Sequence, residues 1–108
     1  MQSDKKLNAA RAVVDGVSTP PVYLSNNGFT DAGLSRTATG TYRLTLPRPV
    51  NTARCEVQIT PVAPSAGVYR RPMGYSWIST TVIEVEVYNS STQAPANLDF
   101  SISIKQVT

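Results

Sequence analysis

The sequence predicts an all-β protein, an antiparallel β-sandwich that is jelly-roll-like or immunoglobulin-like, with about seven or eight short strands. Two observations carry this prediction. Four segments alternate polar and apolar residues with period two, as strands do when one face is buried and the other is wet. Prolines separate these segments at short intervals, and proline collects at strand ends and sheet edges because it cannot donate to a ladder.

The N-terminal segment admits two interpretations. Asp4 could cap a short helix, but Val13-Val14-Asp15-Gly16 is more typical of a strand that ends in a turn. We therefore expect a flexible or assembly-bound arm over residues 1–8, followed by a strand over residues 9–14. The chain length fits one domain, so residues 9–108 are predicted to form a single β-sandwich domain.

Seven further strands are predicted, three with a weak signal and four with a strong one. The weak ones lie around Tyr23 and over residues 33–38 and 75–79, and the strong ones over residues 41–46, 53–60, 81–89 and 98–108. Alternation assigns the following residues to the inward faces of the strong strands: Tyr42, Leu44, Leu46, Ala53, Cys55, Val57, Ile59, Ile83, Val85, Val87, Leu98, Phe100, Ile102 and Ile104.

Glycine and proline define the two ends of the strand over residues 41–46. Gly40 can take backbone angles that other residues disfavour, so we expect it to form the tight turn that leads into this strand. Pro47 and Pro49 lack an N–H group and are expected to end the ladder. This pattern also describes an ordinary hairpin arm that carries no functional site.

The composition indicates a surface that is poor in charge. Charged residues make up 16% of the chain and the formal net charge is +3, whereas about 25% is typical of globular proteins. Such a surface fits a protein whose outside is partly covered by copies of itself or by a larger assembly. Among the seven arginines, Arg70-Arg71 is the only cluster, so no nucleic-acid partner is predicted.

No segment predicts insertion into a membrane or export. No apolar run approaches the roughly 20 residues that cross a bilayer. The first residues, MQSDKK, lack the apolar stretch of a signal peptide. The single cysteine excludes an intramolecular disulfide.

The residue types argue against an enzyme. The chain has no histidine, which removes the most common general base and metal ligand. Glu84 and Glu86 share one strand face at about 6–7 Å, a separation that glycosidases use, but solvated glutamates paired with Arg43 or Arg54 across the sheet explain them more simply. Cys55 is expected to behave as a small buried hydrophobe. The sequence predicts no catalytic residue, no metal site and no cofactor.

A segment rich in aromatic residues and arginine, residues 63–77, is the candidate binding surface. Aromatic residues and arginine are enriched at interaction hot spots. The candidate binding residues are Tyr69, Arg70, Arg71, Tyr75 and Trp77. The alternative is that Trp77 and one or both tyrosines fill the core, while the two adjacent arginines stay exposed.

The order of these elements resembles a known class of domain. A Ser/Thr-rich segment within LSRTATGTYRLTLPRPV leads into the strand marked by Gly40, Tyr42, Leu44, Leu46 and Pro47, and the closing strand carries Asp99-Phe100-Ser101. Over residues 9–108 this resembles the small β-sandwich domains of tailed-bacteriophage tail fibres and other virion appendage or decoration proteins.

The resemblance implies a non-enzymatic structural protein of a virion, made in the host cytoplasm. It also implies a homo-oligomer, with a trimer favoured, that contacts other virion proteins. The alternative hypothesis is a knob that recognises a host receptor or a surface polysaccharide through the segment 63–77.

Overall fold

The chain folds into two four-stranded antiparallel sheets, which confirms the all-β fold class. The computed structural model describes residues 6–62, 74–88 and 94–107. In chain order the strands are β1 (Lys6–Asp15), β2 (Val22–Asn27), β3 (Ser35–Ala38), β4 (Thr41–Thr45), β5 (Cys55–Pro61), β6 (Gly74–Trp77), β7 (Val82–Glu86) and β8 (Phe100–Val107). Short 3-10 turns at Asp31–Gly33 and Thr52–Arg54 precede β3 and β5.

The strand order is that of a circularly permuted immunoglobulin-like domain. The sheets have the orders β2-β1-β8-β5 and β3-β4-β7-β6. When the chain is followed from β3 onward and β8 is continued by β1, the runs β3-β4-β7-β6 and β5-β8-β1 match the ABED and CFG orders of an immunoglobulin constant-type domain. The first and last strands are neighbours, because β1 pairs with β8 from Lys6 opposite Val107 onward, and β2 adds one strand beside β1.

The core lies between the two sheets. The inward residues that alternation predicted and that are buried are Tyr42, Leu44, Leu46, Ile83, Val85, Val87, Phe100, Ile102 and Ile104. β1 contributes Ala10, Ala12 and Val14 to the same cluster. The rings of Tyr42 and Phe100 meet across the sandwich at a centroid distance of 5.1 Å and a tilt of 57°, an arrangement that aromatic pairs favour.

The predicted inward face of β5 is only partly buried, and the assignment of Ala53 to that face is wrong. Cys55, Val57 and Ile59 pack against the core but stay partly exposed, because β5 is an edge strand. Ala53 is exposed, because it lies in the 3-10 turn before β5 and not in the strand. The Asn51 side chain accepts a hydrogen bond from the Ala53 N–H at 3.2 Å and so stabilises that turn.

The first strand begins earlier than alternation indicated. β1 starts at Lys6, within the segment 1–8 that the sequence assigned to an arm, because β8 extends to Val107 and offers a ladder partner to residues 6–8. The helical alternative for the N-terminal segment is therefore wrong from Lys6 onward. Residues 1–5 lie outside the described residues, and there the arm remains a prediction.

Gly40 forms the turn between β3 and β4, as the sequence predicted. Its φ angle is +75°, a conformation that side chains with a Cβ disfavour. The Gly40 carbonyl accepts a hydrogen bond from the Val87 N–H at 2.7 Å, and the Gly40 N–H donates one to Asn97 Oδ1 at 2.8 Å. β4 ends at Thr45, before Pro47.

We expect Gly40→Ala to lower the free energy of unfolding by at least about 1–2 kcal/mol, the cost of a left-handed conformation. The added Cβ would also lie 2.5 Å from the Val87 carbonyl oxygen. Gly74→Ala is the matched control, because among the described residues its Cβ would meet only Glu86 Oε1, at 3.8 Å, and it should stay within about 0.5 kcal/mol of the parent. Urea denaturation measures both, and equal stabilities for the two variants would contradict this account of the turn.

Candidate functional site

The predicted binding residues fall in two groups. Tyr69, Arg70 and Arg71 lie outside the described residues. Tyr75 and Trp77 lie on β6, at the edge of the second sheet. Trp77 is half-buried and packs against the core, whereas Tyr75 is 46% exposed. The alternative in which Trp77 helps to fill the core is thus the one that the fold adopts, and Tyr75 stays available for contact.

The outer face of the second sheet carries an ion pair rather than a pair of catalytic carboxylates. Arg43 and Glu84 are directly opposite in register, and Arg43 Nε donates to Glu84 Oε2 at 3.0 Å. This confirms the cross-strand pairing with Arg43. Both partners are partly exposed, so the pair contributes about 0–1 kcal/mol. Arg54 lies in the 3-10 turn before β5, a strand of the other sheet, and its Nε donates to the Val107 carbonyl at 3.1 Å.

Cys55 is not placed as a nucleophile. Its thiol donates to the Asn51 carbonyl at 3.3 Å, and burial raises the pKa of the Cys55 thiol. A raised pKa keeps the thiol protonated at neutral pH, while the thiolate is the reactive form. Among residues 6–62, 74–88 and 94–107, no group of three or more Asp, Glu or Cys side chains is arranged to hold a metal ion.

A polar network at one end of the sandwich is built around Gly16, just after β1. The Gly16 carbonyl accepts hydrogen bonds from Tyr42 Oη at 2.7 Å and from Arg36 Nη1 at 2.9 Å, and the Gly16 N–H donates to Asp99 Oδ1 at 3.0 Å. Burial raises the pKa of Tyr42, which keeps its hydroxyl a donor. Tyr42 and Arg36 belong to one sheet and Gly16 to the other, so the network joins the two layers.

The same network uses Arg36 to hold the loop after β1. Its guanidinium also donates to the Ser18 carbonyl and to Thr19 Oγ1, both at 2.8 Å. Asp15 accepts hydrogen bonds from the Ser18 hydroxyl and from the backbone of Ser18 and Val17. Arg36 is therefore occupied by internal acceptors and is not available as an anion site.

The two carboxyl groups of this network have pKa values shifted in opposite directions. Hydrogen bonds from the Ser18 side chain and backbone lower the pKa of Asp15. Burial and the neighbouring charge of Asp15 raise the pKa of Asp99 above its ordinary value of 3.8. Groups with opposite shifts are found at acid–base sites, and in this structure both carboxyl groups accept hydrogen bonds from Gly16 and the loop beside it.

We expect Asp99→Asn to make the protein more stable than the parent at neutral pH, because the amide keeps an acceptor for the Gly16 N–H and removes the repulsion with Asp15. The folded-state pKa of Asp99 is raised, so the folded protein binds more protons than the unfolded chain above pH 3.8. Stability that the parent holds at low pH is thus lost as pH rises through the raised pKa.

The gain should stay below about 1 kcal/mol, because solvent screens the partly exposed pair. Thermal unfolding of both proteins measures the difference in stability between variant and parent. The measurements run from about pH 3.5, near the ordinary pKa of an aspartate, up to about pH 7. The difference should grow with pH and then level off. An unchanging difference across that range would contradict the assignment.

A depression of about 470 Å³ lies on the outer face of the sheet β2-β1-β8-β5. Strand register arranges its side chains in two rows that run across all four strands. The first row is Asn27, Arg11, Ser103 and Gln58, and the second is Ser25, Val13, Ser101 and Thr60. We call these eight residues the polar trough. Arg11 is its only charged member and Val13 its only apolar one.

Most side chains of the polar trough have unused hydrogen-bonding groups. Within the part of the chain that the structure describes, the only hydrogen bond from a trough side chain is that from Ser101 Oγ to the Thr60 carbonyl, a long one at 3.4 Å. Arg11 has no acidic partner there. The trough is therefore a preformed surface on which most donors and acceptors have no partner among the described residues.

Sequence reasoning did not find the polar trough. The alternation in residues 53–60 and 98–108 placed Gln58, Thr60, Ser101 and Ser103 on wet faces, which the structure confirms. What alternation does not report is that β8 lies between β1 and β5, and only this order brings the side chains of four strands into two rows.

No protein-family model matches the chain, and no curated protein or solved structure matches it either. Within the described ranges, no helix is long and apolar enough to cross a bilayer. The fold class rests on the strands themselves, and the resemblance to bacteriophage appendage domains stays a prediction.

Proposed function

We propose that this protein is a non-enzymatic structural component of a bacteriophage virion, a tail fibre, appendage or capsid decoration, which acts by self-assembly and surface contacts. The observation that carries the self-assembly is the exposed apolar edge of the first sheet, strand β2. The resemblance supports the virion assignment through Gly40, Tyr42, Leu44, Leu46 and Pro47.

The edge strand β2 carries a β-bulge but neither of two other common protections of sheet edges, charged residues and proline. Its sequence, VYLSNN, contains no charge and no proline, whereas charges and proline commonly guard exposed edges. Leu24 is the extra residue of a β-bulge, because Val13 pairs with Ser25 and Val14 with Tyr23. Leu24 is 60% and Val22 is 44% exposed.

A contact at this edge would bury apolar surface and remove little charge from water. The bulge interrupts the ladder at Leu24, so we expect copies to meet there through side chains rather than through a continuous sheet. The resemblance favours a trimer and other virion proteins as partners. Imaging of the labelled chain in its native particle would test the virion assignment directly.

We expect the purified chain to assemble with rising concentration toward three times its 11.6 kDa mass. Leu24→Lys should raise the concentration at which half the chains are assembled by at least about tenfold, because it would bury an unpaired charge in the contact. Light scattering coupled to size exclusion measures both.

Ile78→Lys is the matched control, because Ile78 is 47% exposed but follows β6 on the other sheet. This variant should assemble as the parent does. A parent that stays monomeric at millimolar concentration would overturn the self-assembly proposal, and equal losses in both variants would overturn the assignment to β2.

The second candidate function is recognition of a host surface polysaccharide. One observation favours it, the polar trough, where unused donors and acceptors lie together on a rigid sheet. Exposed Tyr75 on β6 belongs to the opposite sheet, so it is not part of the trough. A virion component can serve both functions, since a fibre assembles and also meets the host.

A further inference from the structure

We infer that the polar trough binds an acidic oligosaccharide, with a carboxylate of the sugar held by Arg11 and neutral hydroxyl groups held by the remaining side chains. This inference rests on the second candidate function and goes further by naming the site, the ligand class and the group that selects it.

The dimensions of the trough fit an elongated ligand that lies across the strands. Neighbouring strands are about 4.8 Å apart, so a row of four side chains spans about 14 Å. Residues two apart on one strand are about 6.7 Å apart, which sets the distance between the two rows. The volume of about 470 Å³ lies within the roughly 300–1,000 Å³ of typical ligand sites.

The side chains of the trough match the hydroxyl groups of a sugar. The Ser and Thr hydroxyls each donate and accept, and the Asn27 and Gln58 amides offer both an acceptor oxygen and donor N–H groups. A sugar hydroxyl likewise donates and accepts, so it can pair with these side chains in either role. Val13, at the second position of its row, gives the apolar face of a sugar ring a surface to rest on.

Arg11 determines the charge of the ligand. It is exposed, and no acidic residue lines the trough. Its guanidinium offers five donors in a planar fork that matches a carboxylate bidentately. The two other arginines that lie on described strands have internal partners: Arg36 binds the loop after β1, and Arg43 is paired with Glu84.

Other classes of ligand fit this surface less well. Protein interfaces are enriched in aromatic residues and depleted in serine, whereas the trough contains three serines and no aromatic residue. Nucleic acids require several cations along the phosphate backbone, and the trough has one. Apolar small molecules bind mainly to hydrophobic walls, and Val13 alone does not form one.

The test is an NMR titration of the full chain with a galacturonate trisaccharide and, separately, with the neutral galactose trisaccharide. These probes share a ring and differ in the carboxylate. We expect amide shifts confined to the polar trough and its neighbours on β1, β2, β5 and β8. Binding of the acidic trisaccharide should be at least about tenfold tighter, as a charge-assisted hydrogen bond implies.

Arg11→Gln, which keeps the length and polarity of the side chain, should weaken binding of the acidic trisaccharide at least about tenfold and leave that of the neutral one unchanged. Gln58→Ala should weaken both. The matched control is Arg48→Gln, an exposed arginine in the loop after β4, which should bind as the parent does. Unchanged amide spectra outside the trough show that each variant is folded.

The outcomes separate the inference from the function on which it rests. Equal binding of both trisaccharides at the trough, or an Arg11→Gln variant that binds the acid normally, overturns the acidic ligand and keeps carbohydrate recognition. The absence of shifts with either sugar at millimolar concentration, or shifts around Tyr75 instead, overturns the site and with it the observation that favours the second function. Self-assembly is judged separately by light scattering.

Discussion

The carbonyl oxygen of Gly16 is the point at which the two sheets are tied by hydrogen bonds at one end of the sandwich. It accepts from Tyr42 of β4 and from Arg36 of β3, while Asp99, just before β8, accepts from the Gly16 N–H. Gly16 has no room for a side chain, because a Cβ there would collide with the Leu98 carbonyl and the Tyr42 hydroxyl. Tyr42 is fully buried, so this bond also supplies the partner that a hydroxyl in an apolar core requires.

Several of the chain's few charged residues form contacts that hold the fold together. Asp15, Asp99 and Arg36 organise the Gly16 end, and Arg43 pairs with Glu84 on the outside of the second sheet. The outer face of the first sheet carries hydroxyls, amides and Arg11, and also Glu56 and Lys105, which are opposite each other in register. On that face, most side chains of the polar trough have no hydrogen-bond partner among the described residues. The proposed recognition function rests on this feature of the trough, whereas the proposed assembly depends on the apolar edge at β2.

Alternation was sufficient for the strands of strongest signal because it is a local consequence of burying one face of a sheet. Alternation correctly placed Leu44, Val85 and Ile102 in the core. The backbone freedom of glycine correctly placed Gly40 in the turn. Alternation was wrong for Ala53, since a 3-10 turn capped by Asn51 interrupts the pattern before β5. Alternation placed Arg43 and Glu84 on outward faces, but their direct pairing depends on β4 lying beside β7, although β5 and β6 separate the two strands in the chain. The candidate binding segment 63–77 was chosen by residue type, and of its two candidate residues that the structure describes, Tyr75 is exposed and Trp77 packs against the core.

By itself, the sequence determined which segments are strands, which of their residues face inward and how little charge the surface carries. All of these follow from composition and from patterns among residues that are close together in the sequence. Only the tertiary structure decided that β8 lies between β1 and β5, so that the first and last strands pair. It also decided that Gly16 accepts hydrogen bonds from two strands of the other sheet. The polar trough depends on that order, because its rows join residues as distant along the chain as Arg11 and Ser103. Pairing between strands so far apart is selected by the packing of the whole core, and no local pattern records it.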